Sequence, residues 1–223
     1  MNLLPGATGS SSFTSNQCSI AGCSGGAIAF STVNALTLGI TSTTFTSNYA
    51  IANGGAIFVD NTITGIFTAT IKSSTFTSNV AATSGGVIYL SSTAPTSVIT
   101  IGGSTFLTNS ATNYNGGTIY SSAYATNTLT FVNTGVTTTS VTSSSAGTYG
   151  GAIYLAGVTN IITTDSATTI STSTAGNSGG VIFIAGTGTQ TVTVNGGSIS
   201  TSVATSGMGG IARIQGSSAT VIL

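Results

Sequence analysis

Charge is nearly missing from this sequence. Its 223 residues contain two Lys or Arg, two Asp or Glu and no histidine. The four charged side chains are Asp60, Lys72, Asp165 and Arg213. Soluble domains usually carry about 25% charged residues, and here the share is 2%. Zero net charge supplies no field to steer nucleic acid or anionic lipid, and it removes the repulsion that keeps copies of a protein apart. Lack of histidine takes away the usual general base and the Ser–His pair. No set of residues is spaced to hold a metal, and no catalytic cluster is visible. The expectation is a protein that is not an enzyme and needs no cofactor or metal.

Further absences narrow the class. No apolar run approaches the roughly 18 residues of a membrane span, and Met1 to Leu4 lacks the basic start and apolar core of a signal peptide. There is no Asn-x-Ser/Thr sequon, so N-linked sugar is not expected, although dense Ser and Thr would accept O-linked sugars. No window repeats its apolar residues at a helical period with capping residues. Cys18 and Cys23 are the only cysteines. They either close a small disulfide loop, which suits an oxidising compartment, or Cys18 fills the small slot held elsewhere by Ala50, Ala81 and Ala111.

What is present is repetition. Gly54-Gly55-Ala56-Ile57-Phe58-Val59 has counterparts starting at Gly25, Gly85, Gly116, Gly150, Gly179 and Gly209, spaced 29 to 34 residues apart. A second word, Phe45-Thr46-Ser47-Asn48, recurs at Phe13, Phe76 and Phe106. A period of about 30 residues marks a repeat architecture. Each unit reads as short Thr-, Val- and Ile-rich strands separated by Gly, Asn and Ser. In one unit these strands are near Phe67 to Ile71, around Thr75 to Thr77, and Gly85 to Leu90, with a turn through Val80 to Ser84. Three strands per unit without helices predict an all-β fold, a right-handed single-stranded parallel β-helix of about seven three-strand rungs. Residues 1–223 then form a single domain or a segment of a longer array. Asp60 and Asp165 would lie about four turns apart, too far to act on one bond.

The columns of that coil predict its interior. Ile28, Ile57, Ile88, Ile119, Ile153, Ile182 and Ala212 share a strand face with Phe30, Val59, Leu90, Ser121, Leu155, Ile184 and Ile214. Phe13, Phe45, Phe76, Phe106, Val136, Ile170 and Ile199 make a third inner column. Ile40, Ile71, Ile101, Phe131 and Val194 make a fourth. Asn16, Asn48, Asn79 and Asn109 stack at a turn, where amides hydrogen-bond along the axis. The paired glycines provide positive φ or close backbone approach at a corner. Units five to seven lose the Phe-x-x-Asn word, and Thr137 to Gly147 is expected to be less regular. The chain starts part-way into a unit and stops at Thr220 to Leu223 without a polar cap. This predicts either a cut from a longer array or end-to-end stacking of copies.

Gly-Gly-Ala-Ile at Gly25, Gly54 and Gly150, with Phe-x-x-Asn-x-Ala at Phe45, Phe76 and Phe106, resembles the repeats of chlamydial polymorphic outer membrane proteins. That resemblance implies a β-helix in a cell-surface adhesin or passenger domain. This sequence departs from it in charge depletion, and no C-terminal membrane barrel is expected within residues 1–223.

Two outward rows stand out. Phe58, Tyr89, Tyr120, Tyr154 and Phe183 come once per turn, with Ala29 before and Arg213 after as a cation–π cap. The neighbouring column, Ala27, Ala56, Val87, Thr118, Ala152, Val181 and Ile211, is expected to face outward too. Together they predict a long apolar contact strip; the alternatives are self-stacking rings or a glycan platform. The second row is Thr70, Thr100, Thr130, Thr163 and Thr193, with Thr68, Thr128 and Thr191 two residues earlier. It resembles the ice-contact faces of hyperactive antifreeze proteins, though Val98 and Gly39 interrupt it. The expected function is an extracellular structural or adhesive protein that binds itself, head-to-tail and laterally, as a fibre or surface coat. The alternative is a cell-surface adhesin domain that binds a host surface or glycan. Nucleic acid is not an expected partner.

Overall fold

The computed structural model describes residues 2–3, 10–31, 34–60, 65–91, 96–133, 135 and 137–223. Every strand pair is parallel, and each strand pairs with its equivalents in the turns before and after, as the register Phe45↔Phe76↔Phe106 shows. The phenylalanine strand occurs seven times, once per turn of a β-solenoid. The described residues include no helix.

One turn has four strand segments rather than three. In sequence these are Phe67–Lys72, Thr75–Thr77, Val80–Ala81 and Ile88–Ser91. The added one, Val80–Ala81, lies in the stretch expected to be a turn. It pairs with Tyr49–Ala50 and Ser110–Ala111 in a sheet of its own. Two residues are too few for a sequence pattern to register as a strand, and only the stacked neighbours define it.

Single residues in the left-handed region turn the chain between these segments. Ser73 has φ 48°, Ser78 φ 54° and Gly85 φ 67°. Side-chain-bearing residues reach this region only at a cost. Here Ser42, Ser47, Thr108, Ser143 and Thr172 adopt it in other turns, which the cooperative stacking on both sides sustains. After two of these corners the chain places a buried polar residue. Its oxygen accepts the backbone N–H of the same position one turn earlier. Thr43 N donates to Ser74 Oγ at 3.1 Å, and Ser74 N donates to Ser104 Oγ at 3.1 Å.

The interior is filled by the predicted columns, with one replacement. Phe13, Phe45, Phe76 and Phe106 stack with ring centroids 4.7–4.9 Å apart and planes within 6° of parallel. Val136 lies outside the described residues, and Val141 pairs with both Phe106 and Ile170. The extra residues of the fifth turn are thus taken up before the strand, and Thr139–Thr142 and Ser145–Ala146 stay in register. Ile57, Ile88 and Ile119 are paired in register and buried.

The expected outward column fails as well. Ala56, Val87, Thr118, Ala152 and Val181 face inward, each no more than 1% exposed. The backbone explains it: Ala56 N and Ile57 N both donate to Val87 O, at 3.1 and 2.8 Å. Two successive N–H groups sharing one acceptor break the alternation of faces, as in a bulge. Both side chains therefore enter the core.

Candidate functional site

The failed column leaves a narrower surface than the sequence suggested. Phe58, Tyr89, Tyr120 and Tyr154 project from the glycine-led strand as a single ridge, half-buried and in register. Their rings stack face to face, with centroids 4.6–5.5 Å apart and planes within 13° of parallel. Phe183 continues the stack at 5.5 Å from Tyr154 but is itself buried. Tyr149 leans against it at 4.5 Å, and the Arg213 guanidinium lies 5.6 Å from its ring centre. Arg213 is also fixed by a 2.9 Å hydrogen bond from Nη1 to Ser178 Oγ. The cap predicted for Arg213 is present. Tyr149 was not anticipated, because it occupies the column of Asn115 and Ser178, where no aromatic pattern repeats.

Stacking decides what the ridge offers to a partner. Inside the row both faces of each ring are taken by neighbours, leaving edges and phenol oxygens toward solvent. A sugar ring that stacks on an aromatic face finds none free in Tyr89, Tyr120 or Tyr154. Polar groups flank the lower end, where Asn53, Asp60 and Ser91 line a hollow of about 120 Å³ with Phe58 and Tyr89.

Crowding also changes the acidity of the phenols. Burial, then the neighbouring Tyr120 and Tyr149, push the Tyr154 hydroxyl from 10.0 up to about 12. Tyr89 is raised by burial and by Tyr120, against a smaller lowering by Ser91. A phenol with a raised folded pKa favours the folded state while both states keep the proton. That contribution is complete below pH 10 and is lost as pH rises toward 12. Absorbance of tyrosinate, titrated in native and urea-unfolded protein, should show the folded transition displaced to higher pH. Melting temperature should fall across the same window, and Tyr154→Phe should flatten part of that fall.

The asparagine column is as expected and fully engaged. Asn48 Nδ2 donates to Asn79 Oδ1 at 2.8 Å, and Asn79 Nδ2 donates to Asn109 Oδ1 at 3.0 Å. Asn16 joins from below at 2.8 Å. Both readings of the cysteines hold together: Cys18 pairs in register with Ala50 and is disulfide-bonded to Cys23, Cα–Cα 5.4 Å.

Sequence reading missed a second amide ladder. Asn127 Nδ2 donates to Asn160 Oδ1 at 2.8 Å, and Asn160 Nδ2 donates to Gln190 Oε1 at 2.7 Å, all buried. The signal was available as amides 33 and 30 residues apart. It was hidden because Leu36 and Phe67 hold the same column in earlier turns. Asp165 caps a turn, accepting from Ala167 N at 3.1 Å and Thr168 Oγ1 at 2.8 Å. No helix among the described residues is long and apolar enough to cross a membrane.

Comparison with known families places this architecture. Residues 42–60 and 73–91 match the Chlamydia polymorphic membrane protein repeat. No curated protein and no solved structure matches the chain. The two matched stretches each run from a left-handed serine through the Phe and Asn columns to the paired glycines and the ridge. The chain therefore carries repeats similar to those of Chlamydia polymorphic membrane proteins, built into a β-solenoid of about seven turns.

Proposed function

We propose that this protein is an extracellular or cell-surface structural element that associates with copies of itself side by side along the aromatic ridge. The observation that carries the reading is the ridge: rings stacked in register over successive turns, half exposed, on a chain with zero net charge. A rigid row of ring edges presents apolar area at little conformational cost, and nothing in the charge balance opposes close approach of another copy. The repeat match supports a surface location. The chain offers no pair of carboxylates and no histidine to a bound substrate, so the role is one of binding rather than catalysis.

Replacing Tyr89, Tyr120 and Tyr154 together by Ser should leave the circular dichroism spectrum in place while sedimentation velocity shows lateral association lost. Wild-type-like association of the triple variant, confirmed by electron microscopy, overturns the proposal. The repeat match also favours an adhesive reading, in which the ridge engages another cell's surface. Saturable binding of non-associating wild-type protein to cells, abolished by the same triple variant, would select that reading.

A further inference from the structure

The face formed by the strands Phe67–Lys72, Thr96–Gly102 and their equivalents is not used by the ridge, and its outward residues form a lattice. One ladder is Thr70, Thr100, Thr130, Thr163 and Thr193, unbroken over five turns and in register. Two residues earlier, Thr37, Thr68, Thr128, Thr191 and Thr220 share a ladder with Val98 and Ile161. The structure adds a third ladder that the sequence did not reveal: Thr96, Thr126, Thr159, Thr189 and Ser218. Among the described residues, the register of this part of the sheet shifts between Ser122 and Tyr124, outside the ladders.

Parallel pairing sets the ladders' vertical repeat at ~4.8 Å, and alternation sets the ladders ~6.7 Å apart. The central block therefore covers about 19 Å by about 13 Å. Threonine is β-branched and stiff at χ1, so in-register neighbours repeat both methyl and hydroxyl positions. Among the described residues, the hydroxyls of Thr70, Thr100, Thr130, Thr163 and Thr193 are not engaged by any protein hydrogen bond. Elsewhere on the coil such pairs satisfy each other, as Ser140 Oγ and Thr142 Oγ1 do at 2.9 Å. The ladders hold no charged side chain; Lys72 stands at their margin in one turn.

We infer that this face binds ice. Oxygen atoms on low-index planes of hexagonal ice repeat at distances close to both lattice spacings. Water seated between the threonine methyls and anchored by the free hydroxyls matches such a plane without reorganising. Charged groups would hold water in shells incompatible with ice, and the three ladders contain none, with Lys72 beside them in a single turn. Val98 and Ile161 keep a methyl in place, so they interrupt the hydroxyl array without breaking the register of the ladder.

The test is thermal hysteresis and ice-crystal shaping by the purified 223-residue chain. Wild type should shape crystals into facets and show hysteresis that rises with concentration. Thr130→Lys, at the centre of the lattice, should lose most of it, while Thr105→Lys, on the phenylalanine-strand face, should keep it. Matching melting temperatures and spectra would show that both variants are folded. Absent hysteresis and shaping in folded wild type overturns the inference, as does equal activity of the two lysine variants. Loss of self-association in Thr130→Lys, without any effect of wild type on ice, also overturns it and assigns the face to a second copy.

Discussion

Gly86→Ala should destabilise the fold severely. A Cβ at Gly86 would fall inside the carbonyl oxygen of Gly117 in the next turn and lie 2.6 Å from that of Ser110. Both are backbone atoms locked in the stack, so neither can rotate away, and the turns must separate locally. A change with this mechanism belongs to the exceptional class above ~4 kcal/mol. In a chain of this size that corresponds to a melting temperature lowered by roughly 10 °C or more. The control lies in the same column: at Gly210 the nearest atom is Ser202 O, at 3.6 Å. Gly210→Ala should melt within roughly 2 °C of wild type, a shift worth under ~1 kcal/mol. Equal effects at the two sites would show that close approach is not what requires glycine in this column. Differential scanning calorimetry of both variants decides it.

Asn79→Leu should be nearly as damaging, for a different reason. Asn79 is fully buried, and its side chain makes four hydrogen bonds. Oδ1 accepts from Asn48 N at 3.2 Å and from Asn48 Nδ2 at 2.8 Å; Nδ2 donates to Phe45 O at 2.9 Å and to Asn109 Oδ1 at 3.0 Å. Leucine fills the volume but leaves the Asn48 N–H and one Asn48 Nδ2 hydrogen buried without their acceptor. Each unsatisfied group costs about 1–3 kcal/mol, so the expected loss is about 3–5 kcal/mol. Asn16 is exposed at the lower end, where its side chain donates upward to Asn48 Oδ1. Asn16→Leu should therefore cost less than about 1.5 kcal/mol. Comparable denaturant midpoints for the two variants would contradict the ladder account.

These two variants show where sequence reading succeeds and where it stops. The Gly-Gly pair and the Asn column were legible because each recurs at a fixed interval with one residue type. Their physical roles followed from chemistry: one position needs no side chain, the other needs an amide. The inner Ile and Phe columns were legible for the same reason. Val136 was misplaced because the fifth unit has extra residues, and a column without its marker word cannot be aligned across an insertion. The Asn127–Asn160–Gln190 ladder was missed because it begins only after Leu36 and Phe67 have occupied the column.

The misjudged surface is the more instructive failure. Alternation along a strand predicts that Ala56 and Phe58 share a face, and Phe58 does point outward. Ala56 does not, because Ala56 and Ile57 both donate to the single acceptor Val87 O. That arrangement depends on the position of the next turn, which no local pattern encodes. It turns an expected broad apolar strip into a narrow ridge whose ring faces are already occupied. The third threonine ladder was obscured in a similar way. Thr96 and Thr189 open their strands, while Thr126 and Thr159 lie inside long strands continuous with the ridge, in stretches that a three-strand unit leaves unassigned.

The periodic order of residues determined by itself that this chain would coil, which side chains would stack, and that charge would play almost no part. Repetition carries that information because like residues one turn apart must lie above one another once strands pair in parallel. The tertiary structure alone decided which side chains reach the surface at the corners, and so which of them a partner can touch. Those choices rest on hydrogen bonds between turns, whose partners lie about 30 residues away and leave no mark in the neighbouring sequence.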